Sequence, residues 1–452
     1  MKASYFTFLF LVLALSLALP AGAQNPIIRD QFTADPTARV FNGKVYLYPS
    51  HDILAPADKG LRKDWFCMED YHVFSSANLT DWTDHGVIVS QYSVPWVDSA
   101  SYSMWAPDCI KKDGKYYFYF PGNQKREFGR GFTIGVAVAD HPAGPFVPQA
   151  EPIKNVRGID PCVLMDKDGQ AYIYWSMGNI FVTPLKENML ELASETMVVK
   201  EMPGKGLKEG PFVFERNGIY YMTYPHVEDK TERLEYAIGD HPLGPFTFAG
   251  VIMDEFPSGC WTNHHSIIEF EGQWYLFYHH NDYSPKFDKN RSTSIDSLFF
   301  NADGTIQKVT PTLRGVGVTH AGSTIEIDRY SLKSETGAAV AFLDTTDTFK
   351  GWKAILSSRG AWMQYNTVDF AGKKGKKVSV MARSENGSTL QVRAGAVDGP
   401  LIAEVKIPGG ARWTAIETKV KKWKPGIHNL VVVLADDQPA EVDWLKFENR
   451  KP

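Results

Sequence analysis

Residues 34–49 read ADPTARVFNGKVYLYP, and the same plan returns four times: WAPDCIKKDGKYYFYFP at 105–121, IDPCVLMDKDGQAYIYW at 159–175, KEGPFVFERNGIYYMTYP at 208–225 and NHHSIIEFEGQWYLFYHH at 263–280. Each copy has an entry motif, a short strand, a turn on Gly43, Gly114, Gly169, Gly218 or Gly272, and a Tyr-rich strand. Asn-Gly and Asp-Gly supply the two positive-φ residues of a type I′ turn, so each unit opens with a β-hairpin. The turns recur at about 50 to 70 residues, room for four short strands, and that period predicts propeller blades. A smaller echo agrees: Asp140-His-Pro-Ala-Gly-Pro-Phe146 returns as Asp240-His-Pro-Leu-Gly-Pro-Phe246. A single β-sandwich with similar hairpins would have no reason to keep five copies in phase.

Blade I carries an insert, HDILAPADKGLRKDWFCMEDY from His51 to Tyr71, and insertions in repeat folds map to loops on one face, often the binding face. The ring is expected to end after Asn301–Ile306, with that hairpin pairing with residues 27–32. From Ala321 onward the chain alternates apolar and polar residues in stretches such as AWMQYNTVDF, STLQVRAG and HNLVVVLA. About eight such strands, separated by Gly- and Lys-rich turns, predict a β-sandwich of jelly-roll type. The expected fold class is therefore all-β: a five-bladed β-propeller over 24–320, followed by a β-sandwich over 321–452.

Residues 1–23 combine Lys2, an apolar run from Phe6 to Pro20 and Ala21-Gly22-Ala23, the layout of a secretory signal peptide. The run is shorter than the roughly 20 residues of a membrane span. A secreted or periplasmic protein with no membrane span is expected, acting as a monomer. The net charge of −4 offers no cationic surface for nucleic acid. Cys67, Cys109, Cys162 and Cys260 are too few for a stapled domain and are expected to be unpaired.

The entry motifs lie at the start of each innermost strand, where blades converge on the axis. Three carry acids: Asp35, Asp160 and Glu209. A lone acid before a hairpin caps backbone N–H groups; three at matched phase suit acetal hydrolysis. That reaction needs one carboxylic acid to protonate the leaving oxygen and one carboxylate to activate water, and a third acid raises its neighbour's pKa by repulsion. Glu209, with the longer reach, is the natural donor. Blades II and V place Trp105 and His264-His265 at the equivalent points: Trp105 as a sugar-subsite wall or a core residue, His264 as a metal ligand, a water-orienting group or a structural residue. Arg291 either neutralises acids or binds a hydroxyl, or is a surface residue near Lys286 and Lys289.

Taken as a set, Ala34-Asp35-Pro36, Trp105-Ala-Pro107, Gly158-Ile-Asp160-Pro161, Lys208-Glu209-Gly210-Pro211 and His264-His265-Ser266 resemble glycoside hydrolase family 43 over residues 26–318. The resemblance implies an inverting glycosidase with Asp35 as general base, Glu209 as general acid and Asp160 tuning and holding the acid. It also implies a central calcium or ordered water at His264 and a substrate contact at Arg291. No cofactor is required for the chemistry.

The C-terminal segment is similar to carbohydrate-binding module family 6 through Thr324-Ile-Glu326-Ile-Asp328, Trp362-Met-Gln-Tyr365, Arg412-Trp413-Thr414 and Val442-Asp443-Trp444. That similarity implies a structural Ca2+ at Glu326, Asp328 and Asp443 and sugar stacking on Trp413 in an end loop; a sandwich that only shields the propeller is the other reading. The family's substrates imply plant-type oligo- or polysaccharides. Trp65, Trp96 and Phe128 are expected to shape the pocket, and the insert to wall it off for exo action. α-L-Arabinofuranosidase is the first expectation, ahead of β-xylosidase, galactan-active or endo-acting hydrolases and a non-catalytic sugar-binding protein.

Overall fold

The computed structural model describes residues 24–448 apart from 201, 203–204, 371–376 and 422–423; the expected signal peptide lies outside the described residues. The five hairpins open five separate antiparallel sheets. Blade I pairs Thr33–Phe41, Lys44–Asp52, Met68–Ser76 and Thr83–Ser90 in order. Blade II runs from Asp108–Lys112 to Val147–Pro148, blade III from Ile159–Met165 to Met197–Val198 and blade IV from Phe212–Arg216 to Thr247–Met253. Blade V has three strands, His265–Phe270, Gln273–His280 and Ser292–Leu298.

The expected turn chemistry holds in four copies, as at Asn42 and Gly43, with φ of 52° and 73°. Blade III differs. Met165 pairs with Ala171, so five residues form the connection, closed by Asp166 N–H to Gln170 O and Gly169 N–H to Asp166 O, both 2.9 Å. Only Gly169 there needs positive φ; Asp166-Lys-Asp-Gly-Gln is too long for a two-residue turn.

Ring closure also departs from the expectation. The N-terminal segment takes the missing outer position of blade V, with Ile27 N–H to Thr293 O at 2.8 Å and Thr33 N–H to Arg291 O at 2.9 Å. Asn25 extends the seam, its amide donating to Ile295 O at 2.9 Å and its Oδ1 accepting from Ile295 N–H at 2.8 Å. The 301–306 hairpin instead docks on blade IV, where Tyr221 OH donates to Gly304 O at 2.7 Å and Ile306 N–H to Tyr236 OH at 3.0 Å. The hairpin follows blade V in the chain, so these two tyrosines tie it back across the gap between consecutive sheets.

The repeated tyrosines explain the sequence echo. Tyr48 of blade I donates to Pro142 O of blade II, and Tyr174 of blade III to Pro242 O of blade IV, each at 2.6 Å. At the axis, Arg39 of blade I reaches Asp108 of blade II through Nε at 2.9 Å and Nη2 at 2.6 Å. Asp108, 1% exposed, also accepts Val163 N–H of blade III at 2.6 Å, and Arg39 lies over Phe212 of blade IV. One ion pair thus ties four blades.

Strand pairing of the second unit starts at Thr319–His320, two residues ahead of the expected boundary at 321. Two sheets face each other over a core that includes Ile327, Met363, Tyr365, Val380, Leu390, Leu430 and Leu445, as the alternation predicted. Trp352–Leu356 and Gly410–Lys419 are strands beyond those read from the sequence. The two units touch through polar and aromatic contacts: Arg329, fully buried, donates to Tyr283 OH at 3.1 Å and covers Trp352, which stacks on Tyr283. All four cysteines are free and buried, as expected.

Candidate active site

Asp35 and Asp160 both sit where the strand register slips, between Ala34 and Thr37 and between Tyr174 and Ser176. Both have left-handed backbones, φ 47° and 58°. A bulge re-aims a side chain out of its ladder, and both carboxyls meet Glu209 around one pocket of about 220 Å3. The wall includes Trp65, Phe66, Met68, Trp105, Trp261 and Thr262, with Glu232, His264 and Arg291 as further polar groups. The structure therefore brings together Asp35, Asp160, Glu209, Trp105, His264 and Arg291, and Trp65 joins their pocket.

Asp35, 5% exposed, accepts Ser50 Oγ at 2.5 Å and Arg291 Nη1 at 2.9 Å. Its own N–H donates to His279 Nδ1 at 2.9 Å, which fixes that buried imidazole as an acceptor. Arg291 is no surface residue: at 2% exposure it also donates from Nε and Nη2 to Asp52, each at 2.9 Å. Its donors are taken by two acids and Thr262, the neutralising role of the two considered. Asp160 Oδ2 accepts Ser176 Oγ and Gly210 N–H, both at 3.0 Å, so it pins the peptide that follows Glu209. Gly210 has φ 53°, and a Cβ there would lie 2.8 Å from His264 Nδ1; only glycine lets these two entry motifs approach.

The charges are unevenly balanced. Burial, then Glu209 and Asp35, push the Asp160 carboxyl well above the usual range. Burial, then the Glu232 carboxyl, do the same for Glu209. Burial pushes the His264 imidazole down to about 4, so it is neutral at neutral pH. Glu232, 1% exposed, was not among the residues singled out by sequence, nor were Asp52, Ser50 and His279. One signal existed: Met68 and Glu232 each begin the third strand of their blades, and Arg291 immediately precedes Ser292–Leu298, so the pocket is also fed at that phase.

Other expectations need correction. Trp96 is fully buried and stacks on Phe120; it fills space vacated by Gly122 and Gly135, where a Cβ would come within 3.2 Å and 2.2 Å of its ring. Phe128 is not in the pocket wall. Trp413 lies in the strand Gly410–Lys419 rather than an end loop, half-buried with the Arg383 guanidinium over its ring.

The metal expectations can be weighed on donor geometry. At the axis, His264 offers one nitrogen to a cation that prefers six to eight oxygens. In the sandwich, burial, Glu326 and Asp328 push Asp443 up to about 7, a charge cluster that a cation relieves. Arg329 already meets Asp328 at 2.9 Å and Arg29 approaches Glu326 at 4.0 Å. Among the described residues the one trio with converging ligand atoms is His51, Asp70 and His72. There Asp70 and Asp84 already hold the two Nδ1 atoms, at 2.8 Å and 3.1 Å. Among the described residues, no helix is long and apolar enough to cross a membrane.

A propeller whose axial pocket gathers buried carboxyls, aromatic walls and a neutralising arginine defines a glycoside hydrolase. Comparison with known proteins agrees. The sequence model of Glycosyl hydrolases family 43 matches residues 23–306 and that of Carbohydrate binding module (family 6) matches 332–449. The chain belongs to glycoside hydrolase family 43, which acts with inversion, and carries a C-terminal domain of the family 6 module type. It is 38% identical to Xylosidase/arabinosidase 43A of Humicola insolens, over 62% of this chain and 98% of that protein. It is 28% identical to the arabinoxylan arabinofuranohydrolase of Bacillus subtilis, over 96% and 94%. Among solved structures it is similar to a β-xylosidase/α-arabinofuranosidase from a compost microbial metagenome, in complex with xylotriose and calcium-free, at 37% identity and TM-score 0.58, covering 64% of this chain and 98% of that one. A Bacillus subtilis arabinoxylan arabinofuranohydrolase in complex with cellotetraose covers 94% and 97%, at 25% identity and TM-score 0.55.

Proposed function

We propose that this chain is an exo-acting, inverting hydrolase that removes terminal pentose residues from arabinoxylan-type polysaccharide or its oligosaccharides, in the first place as an α-L-arabinofuranosidase. The observation that carries the reading is the walled pocket, which Trp65 and Phe66 of the blade I insert line together with the acids. A wall at that point admits a chain end and excludes a chain interior. Two relatives that span more than nine-tenths of this chain are named arabinoxylan arabinofuranohydrolase, which favours arabinofuranose. β-Xylosidase activity is the second reading, favoured by the xylosidase/arabinosidase name of the relative at 38% identity.

In this reading Asp35 is the general base. Arg291 compensates its charge and Ser50 orients it, while the partly buried Glu209, held well above the usual carboxylate range, protonates the departing oxygen. Inversion follows because water attacks from the face opposite the donor. Asp160 positions Glu209 through Gly210, and Trp105 offers a hydrophobic wall to the sugar ring. Where calcium binds, Glu326 and Asp443, with Asp328, would hold it in the sandwich, and His264 with water at the axis; it would supply charge compensation, with no step of the chemistry passing through it.

Residues 24–320 form the catalytic domain in this proposal and 321–452 a carbohydrate-binding domain, Trp413 offering its free face to sugar. Residues 1–23 direct export to the periplasm or medium. The test is hydrolysis of nitrophenyl α-L-arabinofuranoside and β-D-xyloside by the mature protein and by Glu209→Gln. Cleavage of the arabinoside that the substitution abolishes supports the reading; activity that survives it overturns the donor assignment.

A further inference from the structure

The Glu232 carboxyl begins the third strand of blade IV, fully inside the protein. Its backbone N–H donates to Trp261 O at 3.0 Å, and its Oε2 accepts Asn263 N–H at 2.7 Å. Both anchors come from the entry segment of blade V, so the side chain is clamped between two blades. Its other oxygen, Oε1, is buried and meets no donor. A buried acceptor left without a donor is costly, and an acid able to supply one is Glu209, which lines the same pocket and whose side chain is paired with that of Glu232. Two carboxyls in such contact cannot both be ionised out of water; the arrangement is satisfied when they share one proton.

We propose that Glu232 is a positioning residue for the proton donor: it shares a proton with Glu209, holding that carboxyl in its firing position and loaded at neutral pH. This rests on the reading of Glu209 as the general acid. It adds to Asp160, whose Oδ2 holds Ser176 and the Gly210 peptide, a second acid acting on the donor carboxyl. The other charges facing the pair do not supply this proton. Asp35 and Arg291 act on Glu209 with opposite signs, Asp160 and Arg291 do so on Glu232, and His264 is neutral. Burial pushes Glu232 up to about 7, and burial with Glu232 pushes Glu209 well above the usual carboxylate range, which matches one proton kept within the pair at neutral pH.

The experiment is the pH profile of kcat/KM for Glu232→Gln on a nitrophenyl glycoside and on a dinitrophenyl glycoside, whose leaving group needs no protonation. Glutamine keeps the acceptor for Asn263 and turns an N–H toward Glu209, which favours the ionised donor. The basic limb on the nitrophenyl substrate is expected to move acid-ward by about one pH unit, while the dinitrophenyl rate at the optimum stays within about twofold. A basic limb that stays in place, with a uniform fall at every pH, overturns the inference and leaves Glu232 a structural residue. Glu209→Gln run in parallel separates the two readings: if it depresses both substrates alike, the donor assignment fails; if it spares only the dinitrophenyl substrate, an unmoved limb in Glu232→Gln counts against Glu232 alone. Should Glu232→Gln not fold, Glu232→Asp, which withdraws the carboxyl by one methylene, is expected to move the same limb in the same direction, and an unmoved limb there overturns the inference equally.

Discussion

Replacing Arg39 with Met removes the cation that joins four blades at the axis while keeping an unbranched, apolar side chain over Phe212. Asp108 would be left 1% exposed, holding only the N–H groups of Cys109 at 2.7 Å and Val163 at 2.6 Å. Breaking a buried pair from one side costs about 3–5 kcal/mol because the surviving charge has no partner. For a domain of this size each kcal/mol lowers Tm by about 2–4 °C, so Arg39→Met is expected to melt on the order of 10 °C below the parent in differential scanning fluorimetry. Neither residue lines the pocket, so kcat/KM at 25 °C is expected to stay within about twofold. Adding Asp108→Asn removes the stranded charge, and the double variant should regain stability relative to the sum of the singles by about 0.5–3 kcal/mol. A single variant that melts within about 2 °C of the parent, or a double variant that is simply additive, would refute the claim that this pair rivets the ring.

Gly210→Ala is expected to lose at least about tenfold in kcat/KM and about 1–3 kcal/mol in stability, since its Cβ meets His264 in a left-handed backbone; calorimetry with kinetics checks both. Trp65→Ala, at a side chain 41% exposed, should raise KM several-fold without moving Tm, the signature of lost substrate contact. His280, buried against Phe256 and pushed down to about 3, contributes stability that is complete above the ordinary histidine range and is lost as pH falls toward 3. His280→Phe should therefore lose less Tm between pH 7 and pH 4 than the parent. Added Ca2+ should raise the Tm of the parent but not of Asp443→Asn; equal shifts would remove Asp443 from the calcium proposal.

The propeller was legible because its defining feature is local: a turn that needs positive φ, followed by tyrosines, repeated in phase. Asp35, Asp160 and Glu209 were legible for the same reason, each standing at a fixed offset from its turn. Glu232, Asp52, Ser50 and His279 were not: Glu232 begins a third strand and the other three stand near the far ends of second strands, away from the entry motifs, and Glu232, Asp52 and His279 are read only through partners in other blades. Trp96 was misread because a tryptophan looks the same in a wall and in a core; the paired Gly122 and Gly135 opposite it were the cue to burial. Ring closure was assigned to the wrong strand because hydrogen bonding along an edge leaves no trace in side-chain pattern, whereas the polar Asn25, which stitches that edge, lies outside every repeat.

The stitch at Asn25 joins positions 270 residues apart. During synthesis the N-terminal partner leaves the ribosome first and waits until nearly the whole propeller has followed, so the ring stays an open chain of blades through most of translation. Under the export proposed above, a chain that crosses its membrane unfolded is well served by a clasp that can only snap shut once the last blade has arrived. The same geometry has a bench consequence: Gln24 lies directly before the clasp at Asn25, so a purification handle belongs at the other end of the chain.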